Sequence, residues 1–471
     1  MVKRGVGSKM FNFECGRSAQ RLKDKLKKLT VTEIVLFQVF LFYCFVFLDI
    51  IYTTNHSLIL LDCIYEGKIR SFYDIALQRY KPAYYDFAIY IIFSIWNLPL
   101  WLVQKSGLIN QPLDYLWCML WAKTIVLFFA SICILYMWKL LKLVGTGNNK
   151  YDLIFFFSTD VLVTAALCLM GQYDVIPLSF ILAGLYYYIT GCKKKFLLAF
   201  AIAIPIKAFA ILLFLPLLVQ KDKNLLKIVL KIILVLTPFV VMRLLVPISE
   251  YQKGSNASLL LGKFLSNSLV ASNGRISFFV VCYFSLITYC YIKTFKDVLY
   301  SSIVTALFAF GIFLLLSNPH PQWWIYITPF IILILLLNRE SNVVLQLLSV
   351  VGEFMMFLFL LWNFKNVFNP TNIKYGILKT VIPVDNSYAQ GPTNMYNAFF
   401  SNVSISPSNL FEIILSLGFV CILLFVFLCR NRKNVKNELI DSKMNLIFVQ
   451  SLRVITIVIA YALMFLELKF V

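Results

Sequence analysis

RLKDKLKKLTVTEIVLFQVFLFYCFVFLDIIY, residues 21–52, sets a basic amphipathic prefix against a long apolar run. The run from Val31 to Tyr52 is long enough to cross a hydrocarbon core, which takes about 20 residues. It is too long for a signal-peptide core, and no small-residue cleavage site follows it, so it reads as a retained signal anchor. Residues 1–29 carry nine Lys and Arg against Glu14 and Asp24. By the positive-inside rule the N-terminus is therefore cytoplasmic. The RLKDKLKKL piece (21–29) within residues 1–30 is expected to lie on the inner leaflet, held by anionic lipid.

Composition carries the same reading through the whole chain. Of 471 residues 61% are hydrophobic and only 14% charged, against about 25% charged in an average soluble domain. The formal net charge is +21, yet 44 Phe and 25 Tyr leave too little polar surface for a soluble basic protein or a nucleic-acid binder. Low polarity also excludes disorder. The 11 Cys are odd in number and form no CxxC pair, and most lie in apolar runs, where a thiol acts as a small hydrophobe.

Further apolar runs suggest an all-α polytopic membrane protein with about eleven full transmembrane helices. Two runs resist that count. Residues 87–103 are short and contain Pro99, and fit better as a juxtamembrane part of a large first extracytoplasmic loop, 53–116. Residues 196–219 are interrupted by Pro205 and Lys207 and flanked by the basic loops CKKK (192–195) and QKDKNLLKIVLK (220–231). Both loops belong inside, so 196–219 should enter and return as a re-entrant hairpin broken near Pro205–Lys207. Irregular backbone at that depth is tolerated only against protein or a water-filled cavity. Regions 248–275 and 365–408 are expected to face outside as well.

Charges within a bilayer are costly and usually functional, so the polar residues on the outer side are the site candidates. The first loop holds Asp62, Glu66, Asp74 and Asp86 between Lys68, Arg70, Arg79 and Lys81. Such carboxylates suit a general base beside a phosphate or divalent metal, or else simply pair off in a solvated loop. LCLMGQYDVIPLSF (167–180) makes a tight turn in which Gln172 and Asp174 face the same cavity, unless Asp174 only caps a helix. SNPHPQWWIYITPF (317–330) puts His320 and Gln322 at a helix start between prolines, suited to phosphate contact or to a structural role. IPIKAFAI (204–211) puts Lys207 where it would neutralise a leaving phosphate, and Lys123 and Arg243 are weaker versions of that argument. There is no Walker loop, Rossmann glycine pattern, HExxH or nucleophile elbow.

In order, these features resemble the GT-C superfamily of polytopic glycosyltransferases, which take sugars from polyprenyl-phosphate carriers. The resemblance covers most of residues 32–340: a first span, a large acidic outer loop, YKPAYYDFAIY (80–90), GQYD, a Lys-containing broken helix and the HPQWW helix start. GQYD followed by an apolar span looks most like bacterial members. The resemblance implies a GT-C-like catalytic region over 31–364, followed by an outer loop and C-terminal helices over 365–471. It implies an inverting hexosyltransferase, mannosyltransferase-like, in cell-envelope polysaccharide biosynthesis, with a glycan or glycolipid acceptor. By position Asp62 comes first and Asp86 second as catalytic base, with Gln172, Asp174, Lys207, His320 and Gln322 on the substrate. No nucleotide site is required, because the donor is already lipid-linked; a divalent cation (Mg or Mn) is left open as a cofactor, with no adjacent acidic pair to mark its place. A polysaccharide polymerase or ligase, and a lipid-linked glycan flippase or transporter, remain the alternatives.

Overall fold

The apolar runs fold as helices, several of them bent where a polar residue interrupts the run. A computed structural model describes residues 28–46, 48–145, 150–171, 173–248, 262, 264–265, 267–271, 274–317, 320–338, 343–363, 375–380, 407–430 and 443–470. Most of the basic segment 1–30 and of the outer loop 365–408 therefore lies outside the described residues. The chain begins with α1 (Lys28–Cys44) and α2 (Leu48–Tyr65), which meet at 69°. A short α3 (Phe72–Arg79) leads to α4 (Phe87–Lys105) and α5 (Leu116–Lys142). Next come α6 (Lys150–Ser158) and α7 (Val161–Leu169), bent by 61°. Asp160 causes that bend, because its carboxylate accepts from the Leu162 and Val163 amides, both at 2.9 Å, and starts a new helix. The apolar run over residues 151–170 is thus two pieces.

Then follow α8 (Val175–Ile189), α9 (Lys193–Ile206), α10 (Ile211–Lys221) and α11 (Leu225–Leu245). A two-stranded antiparallel ribbon, β1 (Ser268–Ala271) and β2 (Gly274–Ser277), precedes α12 (Phe278–Ile292). This ribbon departs from the all-α expectation; strands of four residues are too short to write a legible alternation. The chain continues with α13 (Val298–Leu316), α14 (Thr328–Leu337), α15 (Val343–Asn363), α16 (Pro407–Arg430) and α17 (Lys443–Phe470).

Among the described residues, α4, α5, α11 and α13 are long and apolar enough to cross a membrane. The number rises to six if the pairs α1–α2 and α6–α7 each count as one span, against the eleven expected. Several other runs form apolar helices of 10–17 residues.

The break expected near Pro205–Lys207 is present. Lys207 is extended, at φ −152° and ψ 116°, between α9 and α10. The limbs return to the same end of the bundle: Phe196 and Phe200 pack against Phe214 at 5.7 and 5.3 Å, while Tyr188 meets both the Phe196 ring and the Lys221 ammonium. At 14 residues α9 is about 21 Å long, short of a hydrocarbon core of about 30 Å. Lys207 stands at the tip of this hairpin.

Pro99 is carried inside a continuous α4. That helix runs parallel to α2, from His56 beside Tyr90 to Asp62 beside Trp101 and Lys105, and is tied to it by Asn97 and Ser94 donating to Ser57 at 3.0 Å each. Its Trp96 stacks on Trp121 of α5 at 5.5 Å. Lys123 is fully buried and donates to the carbonyls of Phe42, Phe45 (2.5 Å) and Cys168 (2.9 Å). One side chain thereby satisfies the orphan carbonyls where α1 and α7 end. Gly171, at φ +55°, makes room for it: a Cβ there would stand 2.7 Å from Lys123 Cε. Lys123 therefore closes helix ends and does not face a substrate cavity. At the far end of the chain, Gly352 and Gly418 let α15 and α16 approach to backbone contact.

Candidate functional site

The turn after α7, the hairpin tip and the segment before α14 meet around one ion pair. Lys207 Nζ lies 2.8 Å from Asp174 Oδ1, with Asp174 0% and Lys207 14% exposed. Tyr326, in the 3-10 turn Pro321–Tyr326, donates its hydroxyl to the same oxygen at 3.0 Å. Asp174 Oδ2 is buried without a hydrogen-bond partner among the described residues. The Lys207 ammonium also donates to the Tyr173 hydroxyl at 3.3 Å. It lies over the rings of Tyr173, Trp323 and Phe209, at 4.7, 5.3 and 5.5 Å from their centroids. A lysine held by one carboxylate and walled by aromatic rings keeps its charge next to apolar surface.

The second half of the site comes from the α3–α4 link. The Tyr85 ring packs edge-on against Tyr173 at 4.7 Å, and its hydroxyl hydrogen-bonds Asp49 at the start of α2. Burial raises the Tyr85 hydroxyl well above the usual phenol range, with Asp49 adding to the shift, so Tyr85 stays a donor. Tyr73 and Tyr90 brace this link, Tyr73 donating to the Tyr85 carbonyl at 2.9 Å and Tyr90 accepting from the Tyr85 amide at 3.1 Å. Asp86, the residue before α4, pairs with Arg243 of α11 at 2.6 Å. Burial raises its carboxyl, and the nearby charges of Arg243 and Lys207 offset part of that shift.

The residues singled out from the sequence divide accordingly. Asp86, Asp174 and Lys207 come together. His320 is exposed, its ring against Trp323 at 4.9 Å, at the edge of the cluster. Gln322 is half-buried, and its Oε1 has no hydrogen-bond partner among the described residues. Gln172 lies outside the described residues. Asp62 is elsewhere, thirteen residues along α2 from Asp49 and so about 20 Å away. There it is held by Lys105 (2.8 Å), the Trp101 indole (2.8 Å) and Arg79 (3.2 Å). Glu66 joins this group, its carboxyl lowered by hydrogen bonds from Lys68 and Arg79. Paired off in this way, Asp62 matches the solvated-loop alternative better than the role of a base.

Asp49 sits inside the apolar run 31–52, where the surrounding residues mask it. A carboxylate within such a run is itself a signal, and here the helix has already broken before it. Tyr85, Tyr173 and Tyr326 were hidden among 25 tyrosines. Among the described residues no three His, Cys, Asp or Glu side chains gather as a metal would need. Asp86 and Asp174 each hold a cationic partner, which competes with a divalent ion, so no step through a metal follows from these residues.

Fold and site together define a mostly helical membrane protein with the buried Asp174–Lys207 pair at the tip of a helical hairpin. No family model matches the chain, and no curated protein or solved structure does either.

Proposed function

We propose that the protein is an integral-membrane inverting glycosyltransferase of the GT-C type. It moves a hexose from a polyprenyl-phosphate donor to an extracytoplasmic glycan or glycolipid acceptor in cell-envelope glycan assembly. The observation that carries this reading is the Lys207 ammonium at the tip of a hairpin too short to cross, among Asp174, Asp86 and aromatic rings. Charge at that depth is expensive unless a ligand uses it.

In the reaction Asp49 takes the proton of the acceptor hydroxyl. The acceptor oxygen bonds to the anomeric carbon as the bond from that carbon to the lipid-phosphate oxygen breaks. The phosphate leaves with the electron pair. Lys207 and Arg243 meet the charge that builds on it, as preorganised cations act on charge that develops in the transition state. The rings of Tyr173 and Trp323 supply flat apolar walls for a sugar face. An apolar groove of about 420 Å³ between α4 and α5, walled by Tyr43, Val103, Trp117 and Trp121, suits an isoprenoid chain.

Full-length protein in proteoliposomes, supplied with polyprenyl-phosphate hexoses, tests this reading. Asp49→Asn should lower transfer on the order of 10²- to 10⁴-fold, the usual worth of a general base. Asp62→Asn should leave it unchanged, with both variants eluting like the parent in detergent. Absence of transfer from every polyprenyl-phosphate sugar would overturn the class of enzyme, and normal turnover by Asp49→Asn would overturn the assignment of the base.

A further inference from the structure

At the other end of the bundle from Lys207, a crevice of about 820 Å³ opens between α12, α13 and α16. Its walls include Val304 and Phe308 of α13 and Leu423 and Phe427 of α16, and its mouth holds Tyr289 and Lys293. On α13 the wall at Val304 lies twelve residues before Leu316, so about 18 Å below the turn that carries Trp323 and Tyr326. The crevice is therefore separate from the candidate site and opens toward the opposite leaflet.

A half-open apolar hollow facing hydrocarbon forfeits dispersion contacts on one side, so a chain of matching chemistry fills it. What fills it is decided by charge at the mouth. Lys293 lies over the Tyr289 ring at 5.1 Å and makes no ion pair among the described residues. The carboxylate of Asp297 is engaged in capping α13, accepting from the Tyr300 amide at 3.0 Å. Lys296, also exposed, stands three residues on from Lys293. A zwitterionic headgroup would bring its own cation beside Lys293, whereas an anionic one supplies the missing counter-charge.

We propose that this crevice is a binding site for an anionic diacyl phospholipid of the leaflet opposite the candidate site. One acyl chain lies between α13 and α16, and the phosphate meets Lys293. The lipid wedges α16 against α12 and α13, coupling the C-terminal helices to the rest of the bundle.

The test uses the full chain in nanodiscs made from equal parts of phosphatidylglycerol and phosphatidylcholine, followed by partial delipidation and native mass spectrometry. The parent should retain phosphatidylglycerol over phosphatidylcholine about fivefold, the share expected of one lysine at an anionic surface. Lys293→Gln should abolish that preference without changing elution in detergent. Val304→Trp should reduce the total lipid retained whatever its headgroup. Equal retention of both lipids by the parent, an unchanged preference in Lys293→Gln, or a bound polypeptide in place of lipid would each overturn the proposal.

Discussion

Two ion clusters are buried among the described residues, and their surroundings set them apart. Asp174 and Lys207 lie at a hairpin tip, with the lysine 14% exposed. Arg453 of α17 and Glu353 of α15 are sealed, at 1% exposure each, and pair at 3.4 Å. Arg453 also donates to Ser349 at 2.8 Å and lies over the Phe156 ring at 5.0 Å. The fully buried Asp160, which caps α7, feels the same guanidinium. The first cluster joins loops and helix ends, where a ligand can reach it. The second joins the middles of helices that are far apart in sequence, and Tyr461 of α17 adds a hydrogen bond to Gln38 of α1 at 3.2 Å. Similar charges therefore do different work: one arrangement suits chemistry, and the other locks the last helices onto the first.

That distinction can be broken by substitution. The largest effect is expected from Arg453→Met, which leaves Glu353 and Asp160 buried without their cation. Removing one partner of a buried ion pair costs about 3–5 kcal/mol, so thermal unfolding in detergent should shift down strongly and yield should fall. A variant that melts like the parent would show that the sealed cluster is not a lock.

Lys207→Met should act in the opposite sense. Transfer should fall roughly 10²- to 10³-fold, the scale set by loss of one preorganised stabilising group, while the melting shift stays smaller than that of Arg453→Met. Water can reach the tip and relieve Asp174. If Lys207→Met unfolds the protein as readily as Arg453→Met, the two clusters are alike and the contrast fails.

The smallest effect belongs to Arg79→Ala. Arg79 is 41% exposed and pairs with Asp62 and Glu66 at the far end of α2. Exposed pairs contribute little, so transfer should change roughly twofold or less and the melt should not move. A large loss of transfer would return the Asp62 group to the site.

Much of the outer cluster was legible because its residues break local rules. Lys207 follows a proline inside an apolar run with basic flanks, and the break with its helical hairpin appears where those residues put it. Asp174 stands in a turn after Gly171, and Asp86 directly before an apolar helix. Asp49 broke the same rule but was absorbed into the run around it. Asp62 misled because the first loop offered several carboxylates and local sequence does not say which of them face the membrane-embedded residues. The sealed cluster was not legible at all. Glu353, Asp160 and Arg453 are 193 and 100 residues apart in steps along the chain, and no period or spacing connects them.

By itself the sequence determined that this is a helical membrane protein, where its runs begin, and that Lys207 marks a break. Those properties follow from composition, local charge and backbone chemistry, which act over a few residues. Only the tertiary structure decided which carboxylate each cation meets, that Lys123 closes helix ends, and that Asp62 lies apart from Asp174. Pairing of charges in a low-dielectric interior depends on distances between segments remote in sequence, and packing alone sets those distances.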